Sequence, residues 1–179
     1  MPATISLAKD SKVKHPRLVQ MLIYPDAQSL DITGPLEVFD IASRHLSESE
    51  VGYRIELIAK EVGLVRMSSG IQLLADKSIH EISQPAHTLM VAGGDGTRQM
   101  VLDTEVVSWL KTEAGKVQRL ASICSGAFIL AQAGLLDGKK ATTHWGVSEL
   151  LAQLYPAVNV IADSIYHKDG NVYTSAGIT

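Results

Sequence analysis

Residues 119–134, RLASICSGAFILAQAG, read as an apolar strand through Leu120, Ala121 and Ile123 that turns directly into an apolar helix through Ala127, Phe128, Leu130 and Ala131. A strand that becomes a helix with no loop between them forces one residue into a tight, strained turn. Here that residue is Cys124, the single cysteine of the chain. Backbone passes close to backbone at such a junction, so small neighbours are required. Ser122 and Gly126, two before and two after, meet that demand as a G-x-S-x-G elbow does, with serine in place of the first glycine. The expected consequence is a sulfur at the carboxyl end of a sheet, facing the positive end of the helix that starts at Ser125. That end lowers a thiol from its reference of about 8.5, so Cys124 is expected to alkylate at lower pH than a free cysteine. A lone cysteine is otherwise most often a buried structural residue; the small-Cys-small elbow turns the reading to a functional one.

The chain of 179 residues is the size of one ordinary domain. With 46% hydrophobic and 20% charged residues, a net charge of −3 and a pI near 6.0, it reads as globular and without a nucleic-acid-binding surface of its own. One cysteine excludes an intramolecular disulfide and fits a reducing compartment. Residues 1–17 are expected to be a disordered tail: they are polar, with no apolar core that would make a signal peptide. No run reaches the roughly eighteen apolar residues that a spanning helix needs, so the expected location is the cytoplasm, with no membrane partner.

Along residues 18–179 strands alternate with helices. Residues 18–23 form a buried strand, and Gly34-Pro35 opens a helix that turns Leu36, Phe39, Val38 and Ala42 inward and ends by His45, before a solvated turn at 48–50. A strand over 53–59, short strands or a hairpin over 62–75, a helical turn over 78–82 and a strand over 88–92 come next. Asp103 caps a helix carrying Val106, Val107, Trp109 and Leu110. After the elbow come a short strand at 141–145, a helix at 147–154, and short strands at 158–161, 164–167 and 172–174, with Asp169-Gly170-Asn171 as a turn. This alternation predicts an α/β three-layer sandwich with a mainly parallel central sheet, whose ligand site lies outside the carboxyl ends of the strands.

Three polar or glycine features fall at such ends: Asp26 to Asp31, Gly93-Gly94-Asp95-Gly96, and Cys124-Ser125. Gly93-Gly94 is either a tight turn or, with the N–H of Ser125, an oxyanion hole. Asp31 either caps the following helix or points its carboxyl at Cys124, where burial beside an anion would keep it protonated as a donor. His144 is either a satisfied histidine at a strand end or a proton-exchanging partner of the thiol. Trp145 reads as core or dimer contact rather than ligand platform. His15, His45, His80, His87 and His167 show no metal-binding spacing, so no metal and no cofactor is expected.

The block from Cys124-Ser125-Gly126 through Thr142-Thr143-His144-Trp145 resembles the elbow block of the DJ-1/PfpI superfamily. Together with Asp31-Ile-Thr-Gly34-Pro35, Gly93-Gly94 and the terminal Thr174-Ser-Ala-Gly-Ile-Thr179, it most resembles the amidotransferase-like sensor domain of AraC-type transcriptional regulators. The resemblance implies a flavodoxin-like, class I glutamine amidotransferase-like fold and a homodimer. Catalytic roles would fall to Cys124, Asp31 and His144, and ligand contacts to Gly93, Gly94, Asp95 and Ser125. DNA would be reached only through a helix-turn-helix domain absent from this chain, since relatives continue past the terminal block. Isonitrile hydratases of the superfamily share the aspartate and the elbow but typically carry threonine where this chain has Ser125. Three classes therefore compete: a sensor of an amide-, amine- or amino-acid-like small molecule, a cysteine-dependent hydratase or hydrolase, and a redox-responsive protein.

Overall fold

The computed structural model describes residues 15–47 and 51–177. The expected tail up to residue 14, the turn expected at 48–50 and the last two residues lie outside them. Strand β1 (Arg17–Leu22) has Val19, Met21 and Leu22 wholly buried, as a strand covered on both faces must. Helix α1 (Ser29–Arg44) and β2 (Tyr53–Ala59) follow. Next come the antiparallel hairpin of β3 (Gly63–Arg66) and β4 (Gln72–Ala75), and the short β5 (Lys77–Ser78). A 3₁₀ turn at Ile79–Glu81 is closed by a capping box from Ser78. Strand β6 (Thr88–Val91) leads through the one-turn α2 (Thr97–Met100) and α3 (Thr104–Ala114) to β7 (Arg119–Ile123), which runs into α4 (Gly126–Gln132). The remainder holds β8 (Lys140–Ala141), a 3₁₀ turn at Trp145–Val147, α5 (Ser148–Leu154), β9 (Asn159–Val160), β10 (Tyr166–Asp169) and β11 (Val172–Ser175).

The central sheet has seven strands in the order β10-β11-β7-β6-β1-β2-β5, parallel except where β10 meets β11. The predicted α/β sandwich is thus the observed fold. Met21, Leu22, Ile58, Leu89, Leu120, Ile129 and Leu130 form its deepest layer, each worth about 1.5–3 kcal/mol relative to exposure. From β1 the chain moves outward to β2 and β5, then returns to the other side of β1 as β6. The strand order therefore reverses between β1 and β6, and the crevice above that reversal is where open α/β sheets bind ligands.

Two expectations about α1 are corrected. It begins at Ser29 rather than at Gly34-Pro35, so Pro35 lies inside it. The first turn forms because Asp31 and Ile32 are buried, with the Asp31 N–H donating to Gln28 O at 3.1 Å and Thr33 Oγ1 donating to Ser29 O at 3.1 Å. Packing there outweighs the hydrogen bond that an interior proline removes. Leu36 and Phe39 do pack inward, whereas Val38 is 66% exposed.

Candidate functional site

Cys124 sits at the junction of β7 and α4 with φ 54°, the strained left-handed geometry expected of an elbow. Two neighbours hold it there: the Cys124 N–H donates to Ser175 O at 2.9 Å, and Thr143 Oγ1 donates to Cys124 O at 2.8 Å. Gly126 is obligatory, since a Cβ on it would lie 2.5 Å from Val91 O. The loops after β1, β6 and β7 then meet. A Cβ on Gly93 would stand 2.8 Å from both Asp31 Oδ2 and Cys124 Cβ, and one on Gly177 would stand 2.4 Å from Cys124 Cβ and 3.2 Å from Asp31 Oδ1. The Asp31 carboxyl is therefore wedged between two glycines against Cys124, whose sulfur it hydrogen-bonds. Sequence reading had no signal for Gly177 beyond its place in the terminal block.

The electrostatics run opposite to the expected depressed thiol. Burial pushes the Cys124 thiol up to about 11, and the Asp31 carboxylate beside it adds to the rise, while the Ser125 N–H, and its hydroxyl within reach of the sulfur, pull the other way. A carboxylate in the first turn of α1 is itself favoured by that helix's N-terminus. Burial and the neighbouring Asp31 thus outweigh the pull of Ser125 at the start of α4 on the thiol.

Of the donors weighed for an oxyanion hole at Gly93, Gly94 and Ser125, that of Gly94 is engaged. Gly94, at φ 129°, donates its N–H to Ser125 Oγ at 2.9 Å, so that donor is spent within the protein. His144 spends its Nδ1 accepting from Gly146 N–H at 3.1 Å as the cap of the 3₁₀ turn. Among the described residues no hydrogen bond joins it to Cys124. Trp145, read as core or dimer contact, is 68% exposed and stacks at a tilt on His144, so it is not core.

A cleft of about 490 Å³ opens over the elbow. Gly94, Asp95, Cys124, Ser125 and His144 line it, and Gly93 and Asp31 lie buried behind it. Sequence reading missed the rest of its wall: the polar Gln28, Ser68, Thr97 and Arg98, the apolar Val101, Phe128, Val147, Leu150 and Leu154, and Tyr155. Among the described residues no group of three or more His, Cys, Asp or Glu could hold a metal ion.

Comparison with known proteins fits this geometry. The chain is 30% identical over 161 residues to an isonitrile hydratase of Pseudomonas putida, covering 90% of this chain and 65% of that protein. It is 28% identical over 158 residues to the HTH-type transcriptional regulator CdhR of Pseudomonas aeruginosa, covering 88% of this chain and 45% of the regulator. It thus spans under two thirds of either relative. Among solved structures, a ThiJ/PfpI family protein from Pseudomonas syringae superposes with a TM-score of 0.79 at 27% identity, over 98% of this chain and 69% of that one. The family model for DJ-1/PfpI matches residues 17–179, and the chain belongs to the DJ-1/PfpI family.

Proposed function

We propose that this chain is a small-molecule-sensing domain of an AraC-type transcriptional regulator, binding an amine-, amide- or amino-acid-like ligand over the Cys124 elbow. One observation carries the reading: the cleft floor presents a thiol pushed up to about 11, and the nearby His144 is engaged elsewhere. A protonated sulfur beside a carboxyl group, with no imidazole hydrogen-bonded to it, serves better as a binding floor than as a nucleophile. The cleft combines polar side chains with apolar ones, the composition of a small-molecule site. Similarity to a regulator of about twice this length supports the assignment, with DNA contacted by a domain outside this chain. In the cytoplasm the lone cysteine stays reduced. Two-fold pairing would use the exposed Leu30, Val38 and Ile41 of α1.

The test is a thermal-shift survey of amines, amides and amino acids on wild type and on Leu150→Trp, which narrows the cleft at a position 46% exposed and so spares the core. A saturable rise in Tm that the variant abolishes is expected; a rise insensitive to the variant would place binding elsewhere.

A second reading rests on the Asp31–Cys124 contact. Hydration of an isonitrile needs a proton and a nucleophile delivered to one carbon, and this pair holds both; the similarity to an isonitrile hydratase points the same way.

A further inference from the structure

Behind the cleft lies a file of hydroxyl groups whose direction can be worked out from its inner end. Tyr24, two residues past the end of β1 and 1% exposed, places its hydroxyl 2.7 Å from Ala92 O. A carbonyl only accepts, so the one phenolic proton goes there. Burial holds that phenol well above its ordinary range, which keeps the proton in place. Thr97 Oγ1 stands 3.0 Å from Tyr24 Oη and must therefore donate to it. Ser125 Oγ stands 2.9 Å from Thr97 Oγ1 and must donate in turn. The other acceptors in reach of Ser125 are Gly94 O at 3.3 Å, which would also take the proton into the protein, and the Cys124 sulfur, but a proton sent to the sulfur would leave the 2.9 Å contact with Thr97 Oγ1 without one. Gly94 N–H meanwhile donates to Ser125 Oγ at 2.9 Å. Ser125 thus faces the cleft with a lone pair and no proton.

We infer that Tyr24 and Thr97 are positioning residues that fix Ser125 Oγ as a hydrogen-bond acceptor on the cleft floor, so the ligand meets it with an N–H donor rather than an oxygen acceptor. This deepens the sensing reading and rests on it. Beside Ser125 Oγ the N–H of Gly94 is spent and the Asp31 carboxyl lies behind the sulfur, while the donor Arg98 stands on the cleft wall, on α2. None of this was visible in the sequence, where Tyr24 and Thr97 are 73 residues apart and neither stands in a motif.

Alkylation of Cys124 by iodoacetamide against pH reads the hydroxyl file without a ligand. The ionisable groups around the sulfur are Asp31 on α1 and Tyr24 after β1, with Asp95, Arg98 and His144 lining the cleft; all stay unchanged in the threonine and serine variants. Thr97→Val deprives Ser125 of its near acceptor and frees its proton to turn to the thiolate. The alkylation midpoint should fall by about one unit, roughly tenfold in rate at pH 8. Thr97→Ser should restore the wild-type profile, and Ser125→Ala in the Thr97→Val background should cancel the fall. An unmoved midpoint, or a fall of equal size with and without Ser125, overturns the inference, since a purely structural Thr97 would act independently of Ser125. Calorimetry at pH 7 with n-butylamine and n-butyrate as matched probes reads the ligand side. The amine should bind at least about tenfold tighter, or 1.4 kcal/mol; equal or tighter binding of butyrate overturns the polarity. Binding of neither probe, with the alkylation cycle as expected, overturns the sensing reading for simple alkylamines and leaves the fixed direction of the hydroxyl file standing.

Discussion

Replacing Asp31 by Asn is the sharpest perturbation the site allows, because the amide nearly matches the carboxylate in shape and removes only its charge. With the thiol at about 11, the thiolate fraction at pH 7 is about one in ten thousand. A free cysteine near 8.5 would have about 3%, so wild-type alkylation should be roughly three hundred times slower than that of a small thiol. Desolvation is the larger cause of the rise and survives the substitution; the Asp31 charge is the next and does not. The midpoint should therefore drop by about one unit and stay above 8.5, raising the rate at pH 7 roughly tenfold. Initial rates of iodoacetamide labelling, followed by intact mass from pH 6 to 11, measure both profiles, with thermal denaturation to confirm that the variant folds. A wild-type midpoint at or below 8.5, with Asp31→Asn slower than wild type, would show that Asp31 is a neutral donor and would refute the argument.

The same shift has a consequence for stability. A thiol raised in the folded state contributes stability that is complete below its unfolded value of about 8.5 and is lost as pH climbs towards about 11. Urea denaturation should show that decline in wild type and a shallower one in Cys124→Ser. Gly177→Ala places a Cβ 2.4 Å from Cys124 Cβ at a φ of 80° and should cost about 3 kcal/mol or more by the same assay. His144→Gln should leave the Cys124 alkylation midpoint unchanged, because the ring is bonded to Gly146 and not to the sulfur; a shift of a unit would restore it as a catalytic partner.

The elbow was legible because its demands are local: a strand run, a small-Cys-small turn and an apolar helix lie within sixteen consecutive residues. The convergence of Asp31, Gly93 and Cys124 followed from one topological rule, that parallel strands bring their carboxyl ends to one edge. What failed were statements that depend on partners far along the chain. Pro35 looked like a helix start until the burial of Ile32 drew the preceding turn into α1. The N–H of Gly94 looked free until Ser125 Oγ took it, across 31 residues of sequence. The thiol looked activated because a helix N-terminus is visible in sequence, whereas the depth of Cys124 and the charge packed on it are not. Thr97, Phe128 and Leu154 line the cleft, but nothing in their sequence setting separates a lining side chain from a core one, so only their placement in space assigns them to it.

The central claim, reversible binding of a small molecule at the Cys124 cleft, is tested most directly by isothermal titration of the wild-type chain with a panel of amines, amides, amino acids and one alkyl isonitrile. At least one compound bearing an N–H donor should give a saturable one-to-one isotherm, with heat returning to baseline after each injection. A steady power offset that persists after injection of the isonitrile, the mark of continuing turnover, together with no saturable isotherm for any N–H donor, would contradict it.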